Sequence, residues 1–180
     1  MPIVRDKDIE VLFSASTIAR RNLELAKEIA AHEYNDLLVI SVLKGSFIFA
    51  ADLIRAMHDV GLSPEVEFIF ISSYGAGKTS GEVRVLRDID NDVAGRDVLL
   101  IDDILESGKT LAFARNLMLG RGARSCSIAV LLDKRMRRQI ELDADYVGFD
   151  CPDHFVVGYG MDVAHAFREL PFVGIVKGDA

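Results

Sequence analysis

Three short runs of apolar residues, 37–43, 98–101 and 125–132, constrain this chain more than anything else in it. Each is too short to cross a membrane; 37–43, nearly continuous, and 98–101 read as strands covered on both sides, and 125–132 as a further strand. Helical patterns lie between them. One opens at a serine N-cap, Ser14 or Ser16, and continues to about residue 34 with Ile18, Leu25, Ala26 and Ile29 on one face. A second covers 46–60, with Leu53, Ile54 and Met57 inward and Gly61 stopping it, and a third covers 108–120. Further strands are expected over 65–72, 146–149, 155–157 and 172–176, while 83–88 alternates apolar and charged residues as a half-exposed antiparallel strand does. The β-α-β-α-β order predicts an α/β fold, a mainly parallel twisted sheet flanked by helices, in one domain over 1–180. Ligands of such sheets sit beyond the carboxyl ends of the strands, so function is expected just after Leu43, Ile101 and Leu132.

One of those places is chemically loaded. Residues 98–111 read VLLIDDILESGKTL: an apolar strand, the acids Asp102 and Asp103, then the loop Glu106-Ser107-Gly108-Lys109-Thr110 entering a helix. Consecutive backbone N–H groups, a glycine, two hydroxyls and a helix N-terminus make an anion cradle suited to a phosphate. The two carboxylates upstream would repel that phosphate; they make sense against ribose hydroxyls and Mg²⁺-linked water. The loop is not a Walker A motif, because Asp103 holds the place of the first glycine, and Gly77-Lys78-Thr79 fails likewise at Ser72. Gly158-Tyr159-Gly160 is no dinucleotide fingerprint, since Val163 holds the third glycine position. Residues 73–82, with three glycines around one Tyr, form a mobile loop by composition.

The net charge of −7 argues against a general nucleic-acid binder, yet allows small anions in a local pocket. The cysteines, Cys126 and Cys151, read as free thiols in a reducing compartment, and the charged first ten residues carry no signal-peptide core, so a cytoplasmic protein is expected. The histidines, His32, His58, His154 and His165, share no metal-ligand spacing.

The string 98–111 resembles the phosphoribosyl-diphosphate (PRPP) signature of type I phosphoribosyltransferases. SVLKGSFIFAADLIR from Ser41 is similar to the strand–loop–helix of the hypoxanthine-guanine members, SSYGAGKTSGEVRVLRDID from Ser72 to their flexible catalytic loop, and LLDKR from Leu131 and VGFDCPDHFVVGYGMDVAHAFRELPFVG from Val147 to their purine-binding segments. The resemblance spans about 37–177 in the family's order. It implies the type I fold, with a small hood and a flexible loop at 73–82, and an enzyme of purine salvage that joins a 6-oxopurine to PRPP, giving a nucleoside monophosphate and pyrophosphate.

Residue by residue, the resemblance implies that Asp102 and Asp103 hold the ribose hydroxyls, directly or through Mg²⁺, and that Ser107, Gly108, Lys109 and Thr110 bind the 5′-phosphate. Glu106 aligns with the carboxylate near N7 of the base, as general base or proton relay; the family usually has Asp there, about 1 Å shorter in reach, and ~1 Å matters in catalysis. Lys134 is implied to donate to the purine 6-oxo group, selecting 6-oxopurines over adenine, because an ammonium has only donors and cannot satisfy a 6-amino group. By local pattern alone it would be a solvated member of the basic run 134–138. Phe155 is implied to stack on the purine and Val156 to offer backbone groups to its edge, although pattern alone makes Phe155 core. Asp162 matches a metal-site carboxylate beside the base, and Arg168, across a helical turn from it, a pyrophosphate contact. Lys44-Gly45 is where the family places a non-proline cis peptide facing pyrophosphate, and Ser73 and Tyr74 match residues of the closing loop. The implied metal set is Asp102, Asp103 and Asp162, with Mg²⁺ as cofactor; no nucleic acid or membrane is implied, and a homodimer or tetramer is. The competing class is a PRPP- or nucleotide-sensing regulator on the same fold with little catalysis. It would need a basic face, and the only dense basic run is 135–138 in an acidic chain.

Overall fold

The computed structural model describes residues 3, 4, 7–73 and 83–177. In chain order the elements are β1 (Ile3–Val4), β2 (Lys7–Phe13), α1 (Ala15–Ala30), β3 (Leu38–Leu43), α2 (Phe47–Asp59), β4 (Glu65–Ser73), β5 (Val83–Arg87), β6 (Asp97–Leu105), α3 (Lys109–Gly120), β7 (Ser125–Asp133), a 3₁₀ turn at Arg135–Arg137, β8 (Tyr146–Asp150), β9 (Val156–Val157) and β10 (Val173–Val176).

The large sheet runs β5-β4-β3-β6-β7-β8, parallel except for the edge strand β5. Side chains of its central strands alternate between two buried layers. Val39, Leu99, Ile101, Ala129 and Leu131 pack with Ile18, Leu25, Phe49 and Leu53 of α1 and α2. Leu38, Ile40, Leu100, Ile128 and Val130 pack with Leu111, Ala114 and Met118 of α3 on the other face. Burial on both faces is why these strands are continuous apolar runs rather than alternating ones. Ser41 is the polar residue inside β3; its hydroxyl meets that of Ser46 at 2.8 Å, so neither buried group is left without a partner.

Ser14 is the N-cap of α1, accepting from the Thr17 N–H at 3.3 Å. The helix ends at Ala30, short of the expected residue 34, and the chain turns through Asp36 at φ 51° before it enters β3. β6 is longer than expected. It passes the end of β3 alongside β7, with Asp102 opposite Val130 and Ile104 opposite Leu132, so the acid pair sits within a strand rather than in the loop after it.

The hood is a second sheet, β1-β2-β10-β9. Sequence periodicity does not reveal β2: it is charged at Lys7, Asp8 and Glu10, only Ile9 is buried, and its partner β10 lies at the other end of the chain. The segment from Asp162 to Arg168 is not the helical turn expected. Ala164, His165 and Phe167 all take positive φ, which a right-handed helix excludes, and the backbone folds into small bridges instead. Among the described residues no helix is long and apolar enough to cross a membrane.

Candidate active site

The overhanging ends of β6 and β7 carry the site. Asp102 is buried and accepts from the Asp103 N–H at 2.9 Å; Asp103 accepts from the Ile104 N–H at 2.9 Å. Burial, reinforced by the neighbouring Asp103 charge, pushes the Asp102 carboxyl well above the usual range, and burial pushes Asp103 up as well. The chain then turns through Gly108 at φ 85°, which serves as N-cap of α3 without a side chain in the way. This leaves a pocket of about 240 Å³ lined by both acids, Glu106, Ser107, Gly108 and Thr110, with the Lys109 N–H directed at Ser107 Oγ at 3.3 Å. Lys109, expected in this cradle, does not line the pocket.

A residue that sequence reasoning missed holds this loop from behind. Arg138 donates from Nε to the Glu106 carbonyl at 3.0 Å and from Nη2 to the Leu105 carbonyl at 3.5 Å, and it also grips the Leu142 carbonyl and the buried carboxylate of Asp133. Gln139 and Ile140 add two backbone bonds to the Ser107 carbonyl, at 3.0 and 3.1 Å. Within the basic run Lys134 and Arg138 are therefore turned inward, while Arg135 and Arg137 stay exposed. The only sequence signal for Arg138 is Asp133, an acid five residues earlier at the end of an apolar run.

A second pocket of about 300 Å³ adjoins the first, lined by Asp103, Ile104, Glu106, Lys134, Arg137, Phe155, Val156, Met161 and Asp162. The two share Asp103, Ile104 and Glu106, so one wall separates them. Lys134 is 5% exposed, and its Nζ lies 3.2 Å from Glu106 Oε1, with Arg137 Nε 3.8 Å from the same oxygen. Phe155 is half exposed rather than core, while Val156 is buried in β9.

The β3–α2 loop closes the other side. The non-proline cis peptide is Leu43–Lys44, one bond before the expected Lys44–Gly45. Gly45 is fixed by a different demand: a Cβ there would lie 1.9 Å from Asp103 Oδ2. Gly160 approaches from the hood, where a Cβ would lie 2.2 Å from the Gly45 carbonyl oxygen. Lys44 is exposed, its Nζ 5.2 Å over the Phe70 ring. Arg168 donates to the Gly160 carbonyl at 2.6 Å and pairs with Asp162 Oδ1 at 2.7 Å. Asp162 also accepts from the His165 N–H at 2.7 Å, so its carboxylate is engaged by Arg168 and by backbone. Among the described residues no three such side chains are gathered to hold a metal ion. Ser73 ends β4, and Tyr74 with the rest of the expected closing loop lies outside the described residues.

The model of the phosphoribosyl transferase domain matches residues 9–164. A hypoxanthine-guanine phosphoribosyltransferase of Bacillus subtilis is 46% identical over 174 residues, 94% of each chain. A hypoxanthine phosphoribosyltransferase of Escherichia coli is 41% identical over 172 residues, 93% of this chain and 95% of that one. A solved hypoxanthine phosphoribosyl transferase of Trypanosoma cruzi superposes with a TM-score of 0.90 at 39% identity, covering 98% of this chain and 95% of the other. Fold, paired pockets and relatives agree: the chain belongs to the phosphoribosyltransferases and, within them, to the hypoxanthine(-guanine) enzymes.

Proposed function

We propose that the chain joins hypoxanthine, guanine or both to PRPP, releasing pyrophosphate. The observation that carries this is the pair of pockets with a common wall: a cradle of N–H groups, hydroxyls and acids on one side, and a buried ammonium with a half-exposed aromatic on the other. The cradle fits a 5′-phosphate and ribose hydroxyls; the neighbour fits a flat 6-oxopurine, stacked on Phe155 with its oxo group on Lys134. The bond from the base nitrogen to ribose C1′ forms as the C1′–pyrophosphate bond breaks, and Glu106 on the dividing wall takes up the proton the base loses. Arg168 and the Lys44–Gly45 loop receive the leaving pyrophosphate.

The residues present fit Mg²⁺ brought in with PRPP. Asp102 and Asp103 offer two hard carboxylates crowded together, and Mg²⁺ takes one or two such ligands and completes its shell with phosphates and water. When bound, it neutralises charge on the pyrophosphate. We take the whole chain as one catalytic domain, working in the cytoplasm as a homodimer or tetramer. The regulator reading is disfavoured because its basic run is occupied: Arg135 holds Asp133, Arg137 holds Asp153, and Arg138 holds the loop.

Purified protein with PRPP, Mg²⁺ and each of hypoxanthine, guanine and xanthine tests the proposal by UV absorbance. Nucleotide is expected from hypoxanthine or guanine, with activity lost on chelation and restored by Mg²⁺. Absence of product from all three overturns it.

A further inference from the structure

The geometry points to Tyr159 as a positioning residue for the pyrophosphate half of the site, an inference that rests on the function proposed above. Tyr159 lines neither pocket of the site. Its ring is buried, and its hydroxyl donates to Asp52 Oδ2 on α2 at 2.5 Å while accepting from Asn22 Nδ2 on α1 at 2.9 Å. Asn22 is itself buried, and its Oδ1 has no partner among the described residues, so the phenol is what its amide is spent on.

The backbone at Tyr159 needs such an anchor. Gly158, Tyr159 and Gly160 take φ of 94°, 51° and 99° in succession. Glycine adopts that region freely, but a tyrosine does so only when its surroundings fix it. The two bonds to the helices, with the Tyr159 N–H held by the Leu170 carbonyl at 2.8 Å, are that fixture. The next residue then makes both contacts that build the pyrophosphate side: the Gly160 carbonyl holds Arg168, and its Cα stands against the Gly45 carbonyl, whose own Cα stands against Asp103. A continuous path therefore runs from the α1–α2 pair through Tyr159 and Gly160 to Arg168, Gly45 and Asp103. Lys134 and Phe155, on the purine side, share no hydrogen bond or ion pair with these residues and meet the path only where Asp103 lines the purine pocket beside them.

The test is steady-state kinetics of Tyr159→Phe and Asp52→Ala, with PRPP and purine varied separately and melting temperature measured alongside. The expected result is a KM for PRPP raised about tenfold, with the KM for purine within about twofold of the parent. Asp52→Asn keeps an oxygen acceptor for the phenol and should restore the PRPP value, and the double variant Tyr159→Phe/Asp52→Ala should be no worse than either single one. Asp52 is 41% exposed, so its variants report even where Tyr159→Phe folds poorly. Equal shifts in both KM values, a lowered melting temperature with neither KM changed, or failure of Asp52→Asn to restore PRPP use overturns the inference while leaving the function standing. A parent protein that neither binds nor turns over PRPP overturns both.

Discussion

Glu106 and Lys134 make the residue-scale case. Their side chains meet at 3.2 Å across the base pocket, so the longer acid reaches the ammonium directly. Glu106→Gln should lower turnover by about a hundredfold or more while leaving PRPP affinity nearly unchanged, a split read by single-turnover kinetics and direct binding. Unchanged turnover would remove Glu106 from proton transfer. Lys134→Ala should raise the KM for 6-oxopurines far more than that for PRPP; equal effects would make the lysine a structural ion-pair partner only. Local pattern misjudged both Lys134, which is buried, and Phe155, which is half exposed. Each lies just beyond or before a strand end, where alternation no longer dictates the side a residue faces. The family resemblance placed them because it compares whole segments.

At the scale of elements, the strands of the large sheet were legible because burial on both faces writes an unbroken apolar run into the sequence. The hood was legible only in β9 and β10, expected at 155–157 and 172–176; β1 and β2 were not, since β2 is charged and pairs with β10 across nearly the whole chain. The overhang of β6 and β7 was also hidden, as its support comes from Arg138 rather than from hydrophobic pattern. Arg138→Ala leaves the Asp133 carboxylate, 1% exposed, without its inner partner and frees two loop carbonyls. Breaking a buried pair in this way costs about 3 kcal/mol or more, measurable by denaturant unfolding, and PRPP affinity should fall with it. Gly45→Ala forces Asp103 aside, and an activity loss of about a hundredfold is expected from a displacement near 1 Å.

Across the whole molecule, the chain leaves β3 for α2 on one face and β6 for α3 on the other, so the crevice between those neighbouring strands opens where sequence order places it. The opposite end is pinned by Asp97. Its carboxylate takes Arg124, the Asn35 N–H at 2.7 Å and the Ser125 hydroxyl at 2.7 Å, and the Arg124 guanidinium foremost holds its pKa down to about 2. The unfolded chain binds that proton more readily, so the contribution is complete above about pH 4 and disappears as the pH falls toward 2. Asp97→Asn should flatten the decline of stability through that window, read from unfolding midpoints at pH 5 and pH 2.5. The single wall between the two pockets has a thermodynamic consequence. A base that takes Lys134 from Glu106 alters a side chain that the phosphate cradle also uses. Reciprocity then requires that whatever factor PRPP applies to purine affinity, purine applies to PRPP affinity, and calorimetric titration in both orders should return one coupling constant.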